Sequence, residues 1–298
     1  MPAASYTSAP VGYPPDGNRG RMRIVIVGPG RAGLALAIAA ARAGHRIVAV
    51  AGRDLDHASP AAAALGATAL TLGDAIPGND LVVIATRDDD IAAVAATMAA
   101  SPGLITAAVH LSGLAPVATL APLADRGAAT GSMHPLQTLP TPEAGADRLA
   151  GSWMAVTAEE PLASTLRELA RSLGTHPFPL ADDAKPLYHA GAAAAANFPL
   201  ASLTIAHDLF TAAGVPVKAA RPLVEAAVAN AFEMGPRSAL TGPVVRGDAA
   251  TVSAQLDAVA AATPEWLDGF SAQVALIARI AGRWDEFADV LAVDRRAS

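Results

Sequence analysis

From residue 22 to residue 180 the chain alternates short apolar runs with longer stretches whose apolar positions recur at helical spacing. Strands are predicted over 22–27, 45–52, 67–72, 80–86, 104–112, 128–134, 153–159 and 175–180. The run 80–86, Asp-Leu-Val-Val-Ile-Ala-Thr, is almost continuously apolar, as in a strand buried on both faces. Helices are predicted over 31–43, 57–66, 89–100, 115–126 and 161–173, with Asp88 or Asp89 as a cap for the third. Strands that alternate with helices predict βαβ units and a parallel sheet.

The pattern changes after Leu180, and no further strand is predicted. A long helix starts near Ala184, with Asp182 or Asp183 as N-cap, and runs to about Ala213 with a kink at Pro199. Further helices fit 217–234, 249–261, 264–281 and 283–292. The predicted fold class is α/β: a parallel-sheet domain over 21–181, then an all-helical domain over 182–298. Residues 1–20 are rich in Pro, Gly, Ser and Ala and lack the features of a secretory signal; they are expected to be a disordered tail.

Composition narrows the picture. The 298 residues are 52% hydrophobic, which suits a sizeable core in two domains. A net charge of −6 with no basic block argues against a nucleic-acid partner. The absence of cysteine excludes disulfides, thiolate catalysis and cysteine-ligated metals. No histidine pair has metal-ligand spacing, so no metal is expected. The uncharged stretch 190–206 is mostly alanine and contains Asn197 and Pro199. It reads as a buried helix of a cytoplasmic protein, not as a membrane span. Its small residues also let helices approach closely, and a homodimer is expected.

One short segment carries specific chemistry. Gly28-Pro29-Gly30-Arg31-Ala32-Gly33 matches G-x-G-x-x-G, follows a predicted strand and opens a predicted helix. The first glycine permits the turn, the second lets backbone approach a pyrophosphate, and the third lets helix and strand pack closely. The helix N-terminus then offers N–H groups to anionic phosphates. A dinucleotide is the expected cofactor. The end of the second strand chooses which: Arg53 can hold the 2′-phosphate of NADP, whereas Asp54, one residue late, could serve NAD. NADP is favoured. Thr86, closing the fourth strand, is expected to line the cofactor.

Four further stretches, His-Leu-Ser-Gly (110–113), Gly-Ser-Met-His-Pro-Leu-Gln-Thr-Leu (131–139), 188–198 and 239–248, carry a resemblance that spans about 22–298. The first half resembles the Rossmann-like domain of 6-phosphogluconate-dehydrogenase-type reductases, prephenate dehydrogenases and pyrroline-5-carboxylate reductases. The whole resembles Rossmann-like proteins with a C-terminal helical domain of formerly unknown function. Some members of that family are regarded as an alternative class of ketopantoate reductase in pantothenate synthesis. The resemblance implies an NADPH-dependent oxidoreductase that reduces a carbonyl.

Reduction of a 2-oxo acid needs a hydride donor, a proton donor at the carbonyl oxygen and a cation for the carboxylate. Lys185 and His189 stand four apart on one helical face, with Asn197 further along, and could line one wall of a cleft. A lysine in a first helical turn opposes the macrodipole, which favours a functional reason for Lys185. Asn197 is expected to be buried and in need of partners. His134 closes a strand at the carboxyl edge, where open sheets place their ligands, with Gln137 and Thr138 as helpers. Lys185, His189 and His134 are the candidate proton donors. Ser112, Asn197 and Arg246 are the candidate substrate contacts, Arg246 as the carboxylate clamp. Two other functions remain open: oxidoreduction of an imine or a cyclohexadienyl acid, and NADP binding without turnover.

Overall fold

The computed structural model describes residues 21–295, so the tail expected over 1–20 lies outside the described residues. The chain divides into two compact units, one ending at Ala192 and one beginning at Ala193.

The first unit is built on a sheet of eight strands among the described residues. Its elements are β1 (Arg23–Val27), α1 (Arg31–Arg42), β2 (Arg46–Gly52), α2 (Leu55–Leu65), β3 (Thr68–Thr71), β4 (Leu81–Ile84), α3 (Ile91–Ala100) and β5 (Ala107–His110). Then follow α4 (Ala121–Ala124), β6 (Ala129–Leu136), α5 (Pro142–Leu149), β7 (Trp153–Ala158), α6 (Leu162–Ser172) and β8 (His176–Pro179). The strand order is β3-β2-β1-β4-β5-β6-β7-β8. Alternate residues of β1 serve opposite cores. Ile24 and Ile26 pack with Leu36 of α1 and Leu166 of α6, while Val25 and Val27 pack with Ile91 and Met98 of α3. Both faces are therefore covered, which is why the central strands read as continuous apolar runs.

Three predictions need correction here. The sheet is not wholly parallel: β6 and β7 pair antiparallel, Gly131 opposite Ala158 and Leu136 opposite Trp153, and β8 then runs parallel to β7. The connection between β6 and β7 contains α5, a helix the apolar pattern did not predict. Thr141 caps it, its side chain accepting the Ala144 N–H at 3.2 Å, and Pro142 opens it. Helix α5 packs on α1, with Gly145 so close that a Cβ there would lie 2.8 Å from the Ala35 side chain. The helix predicted over 115–126 is a 3-10 turn, Val117–Leu120, followed by the four-residue α4. Pro116 and Pro122 remove donors and break it up.

The remaining helices are α7 (Lys185–Ala212), α8 (Ala220–Met234), α9 (Pro243–Arg246), α10 (Ala249–Ala262), α11 (Leu267–Ile280) and α12 (Trp284–Ala292). Strand character ends at Pro179, close to the predicted change at 181, but by packing the first two turns of α7 belong to the sheet unit. Helix α7 runs through Pro199. The core of the second unit gathers Val244, Val252, Leu256, Leu267, Val274 and Phe287 from α9 to α12. Asp248 caps α10, accepting the Thr251 N–H at 3.1 Å. Stretch 190–206 is not buried as expected; most of it, Asn197 included, is exposed in the single chain. No helix among the described residues is long and apolar enough to cross a membrane.

Candidate functional site

The sheet order reverses direction in sequence between β1 and β4, which opens a crevice beyond their carboxyl ends. The glycine-rich turn sits at that crevice. Gly28, at φ +95°, donates its N–H to the Ala51 carbonyl at 2.9 Å. A Cβ on Gly28 would lie 2.9 Å from the Ala85 carbonyl oxygen, and one on Gly33 would lie 2.5 Å from the Gly28 carbonyl oxygen. Both positions therefore require glycine for the turn to close on β4 and α1. A Cβ on Gly30 would meet nothing within 4 Å. There the backbone faces open space, and α1 begins with no side-chain cap on its N–H groups. Pro29, Arg31 and Ala32 complete the turn, with Arg31 exposed. Thr86 stands against Gly28 through its methyl group, and its buried hydroxyl has no hydrogen-bond partner among the described residues. A side-chain-free cradle, uncapped N–H groups and an orphaned hydroxyl together fit the pyrophosphate and ribose of a dinucleotide.

At the end of β2, Arg53 is exposed. Asp54 caps α2: its Oδ1 accepts the His57 N–H at 2.9 Å and meets the His57 ring at 2.6 Å. Those bonds hold its carboxyl below the usual range.

Further along the same edge β5 and β6 carry a polar group of residues. Gly113 lies against the His134 ring, where a Cβ would come within 2.9 Å of two ring atoms. His134 Nδ1 and the Tyr188 hydroxyl share a 2.7 Å hydrogen bond. The His189 ring stands edge-on to His134 at 6.3 Å between centroids. Burial, and then His189, push the His134 pKa down to about 4; burial pushes Tyr188 up to about 12. Both groups are thus neutral near pH 7. Phe178 packs edge-on to Tyr188 at 6.0 Å and screens it. Tyr188 was not singled out from the sequence. Its neighbour His189 drew attention, and nothing in the helical spacing showed that Tyr188 would reach β6.

Lys185 is placed differently from a surface lysine. It is 1% exposed, donates to the Ala115 carbonyl at 2.9 Å and pairs with Asp182 at 2.8 Å. Asp182 does not cap α7; its carboxylate accepts the Val117 N–H at 3.1 Å. Asp88 does not cap α3 either. It accepts from the Ser112 hydroxyl at 2.7 Å, while Ser112 Oγ accepts the Leu114 and Ala115 N–H groups. The hydroxyl's one donor and two acceptor positions are all used. Ser112, Lys185 and Asp182 therefore hold the loop 112–117 beside the site. Gln137 and Thr138 bond to each other and to residue 148, away from His134. In the second unit Asn197 is exposed, and Arg246 is exposed near Asp248, whose carboxyl is held low by its Thr251 bonds first and by Arg246 last. A cavity of about 260 Å³ lies within that unit, lined by Ile205, Leu209, Val244, Phe270, Val274 and Ile277 among others; no charged residue lines it.

Beneath Lys185 lies His110, fully buried, with neither ring nitrogen hydrogen-bonded by good geometry. Burial and then the Lys185 charge push its pKa down to about 4. Above about pH 6.5 His110 and His134 are neutral in both folded and unfolded chains. Between there and about pH 4 the unfolded chain binds protons that the folded chain does not, so stability falls on acidification. Denaturation midpoints taken near neutrality and near pH 5 should show that loss; equal midpoints would contradict these two environments.

A Rossmann-like domain model matches residues 11–135, and a model of the domain of unknown function DUF2520 matches residues 152–275. The chain joins a Rossmann-like domain to a DUF2520 domain. The junction between the two falls between β6 and β7, where the sheet reverses direction, so β7 and β8 belong to the DUF2520 segment. No curated protein matches the sequence. Among solved structures, a candidate NADP oxidoreductase from Bacteroides fragilis is 22% identical, with a TM-score of 0.76 over 87% of this chain and 99% of that one. A reductive aminase from Aspergillus terreus, in complex with NADPH and ethyl-5-oxohexanoate, is 20% identical, with a TM-score of 0.60 over 90% and 94%. A 1-pyrroline-5-carboxylate reductase from Streptococcus pyogenes is 16% identical, with a TM-score of 0.57 over 92% and 100%. At these identities the likeness is one of fold.

Proposed function

We propose that the protein is an NADPH-dependent oxidoreductase that reduces a small 2-oxo acid, with 2-dehydropantoate (ketopantoate) as the substrate to test first. The observation that carries the reading is one sheet edge that holds both a side-chain-free glycine cradle beside Thr86 and the neutral His134–Tyr188 pair. Gly28, Gly30 and Gly33 would hold the pyrophosphate and Arg53 the 2′-phosphate. NADPH, when bound, supplies the hydride. The fold neighbours solved with NADPH support that cofactor.

His134 donates a ring N–H to the carbonyl oxygen, and Tyr188 orients the ring through Nδ1. The alkoxide formed on the substrate is a stronger base than phenolate, so a neutral imidazole backed by a neutral phenol suffices as proton source. His189, edge-on to His134, is the next donor in line. Lys185 and Ser112 act as positioning residues, because their polar atoms are committed to the loop 112–117. Arg246 is assigned to the substrate carboxylate, and Asn197 to a further polar contact. A homodimer is part of this reading.

The second reading, reduction of an imine, is favoured by the reductive aminase and pyrroline-5-carboxylate reductase among the fold neighbours. An iminium cation calls for a carboxylate, and Asp88, which accepts from Ser112 through Oδ2, lies near His134, so a substrate panel separates the two readings. Purified protein with NADPH should consume the cofactor on addition of ketopantoate. Arg246→Ala should raise KM for the acid by roughly one to two orders of magnitude, as expected for a charge-assisted pair, and leave NADPH affinity nearly unchanged. Turnover with cyclic imines and none with oxo acids would replace the first reading by the second.

A further inference from the structure

The end of β2 is an awkward place for a phosphate. Gly52, the last residue of the strand, has no side chain to offer a ribose, and the residues that follow, from Arg53 to His57, are all exposed. Among them the Arg53 cation stands beside two carboxylates, Asp54 and Asp56. The Asp54 carboxylate feels the Arg53 charge directly. Left to itself, a carboxylate there would have two effects. It would accept from the hydroxyls of an unphosphorylated ribose, and it would repel a phosphate held on Arg53.

His57 acts on that carboxylate. Its ring Nδ1 lies 2.6 Å from Asp54 Oδ1, and the same oxygen accepts the His57 backbone N–H at 2.9 Å. An ionised carboxylate oxygen only accepts, so the ring nitrogen facing it carries a proton, whether the imidazole is neutral or charged. This ring bond is the first cause that holds the Asp54 carboxyl below its usual range. Two donors on one oxygen fix the carboxylate's orientation and draw its charge toward α2. Oδ2 alone remains, whereas two neighbouring ribose hydroxyls are best received by both oxygens of a carboxylate.

We propose that His57 is a specificity-determining residue for the cofactor. By holding Asp54 Oδ1 it lets Arg53 keep a 2′-phosphorylated adenosine ribose and makes the strand end a poor acceptor for an unphosphorylated one. In this role His57 is a positioning residue, since it acts through Asp54. The inference rests on the assignment of NADPH to the glycine cradle and of its 2′-phosphate to Arg53; it does not depend on the substrate.

The test is titration of the full chain with NADPH and with NADH, followed by cofactor fluorescence. His57→Ala removes the ring and keeps the backbone N–H that Asp54 caps, and the site is exposed, so the fold is not at stake. The variant should bind NADPH more weakly and NADH more tightly. Both side chains are exposed, so each change should be roughly threefold, and the ratio of the two dissociation constants should move toward NADH by roughly tenfold. Asp54→Asn removes the charge and keeps a good helix cap. In that background His57→Ala should leave the ratio unchanged, which is the signature of coupling between the two positions. An unchanged ratio in the single variant overturns the inference, and so does equal weakening of both cofactors, which a structural role alone would give. A shift that persists undiminished in the Asp54→Asn background also overturns it, because His57 would then act on the phosphate without Asp54. If the unaltered chain binds neither cofactor, or both equally, the NADP assignment itself fails, and that result appears before any variant is made.

Discussion

Replacing His134 by alanine should lower turnover by about two to four orders of magnitude, the usual cost of losing a general acid, and leave NADPH affinity nearly unchanged. The expectation follows from where the ring is held. It lies near the carboxyl end of β6, stands against Gly113 and shares a 2.7 Å bond with Tyr188. The phosphates would sit at the other end of the crevice, on the turn after β1. Tyr188→Phe should act in the same direction with a smaller loss, because the imidazole remains but its orientation is no longer fixed. Steady-state kinetics with the oxo acid, together with cofactor titration, separate the two effects. Near-normal turnover in both variants would move the proton donor to His189.

Arg53→Ala should weaken NADPH by roughly ten- to a hundredfold, the value of a charge-assisted hydrogen-bonded pair, and leave NADH unchanged. The structure sharpens the choice between the two cofactors. An acidic residue at the end of β2 could have accepted from a ribose hydroxyl. Asp54 instead turns one carboxylate oxygen, Oδ1, to the His57 N–H and the His57 ring at the start of α2. Arg53 is left exposed at the strand end. Parallel titrations of the unaltered protein and the variant check this. Equal affinity of the unaltered protein for both cofactors would remove the NADP assignment.

Much of the fold was legible because its periodicities are strong. Strands such as Leu81–Ile84, buried on both faces, leave continuous apolar runs, and the glycine motif marks both the end of β1 and the start of α1. Helix α5 was missed although Thr141-Pro142 signals a helix start, because only a short, mostly polar segment follows. The antiparallel step at β7 left no trace, since a connection of that length can bring a strand back in either direction. The acidic residues before α3 and α7 looked like caps. Asp88 instead bonds to Ser112 and Asp182 to Val117, partners 24 and 65 positions away, and Asp182 also pairs with Lys185 three residues on.

The sequence by itself determined the order of the strands and of most helices, the change to an all-helical segment near residue 181, and the glycine turn at β1. Each of these is local: a periodicity, a turn residue or a spacing within one stretch of chain. Only the tertiary structure decided which polar groups are already spent. It buried Lys185 against Ala115, saturated Ser112, joined Tyr188 to His134 across 54 positions, and left Asn197 and α8 uncovered. Burial and hydrogen-bond satisfaction are sums over neighbours that the fold brings from distant segments. No pattern along the chain carries them until those neighbours are in place.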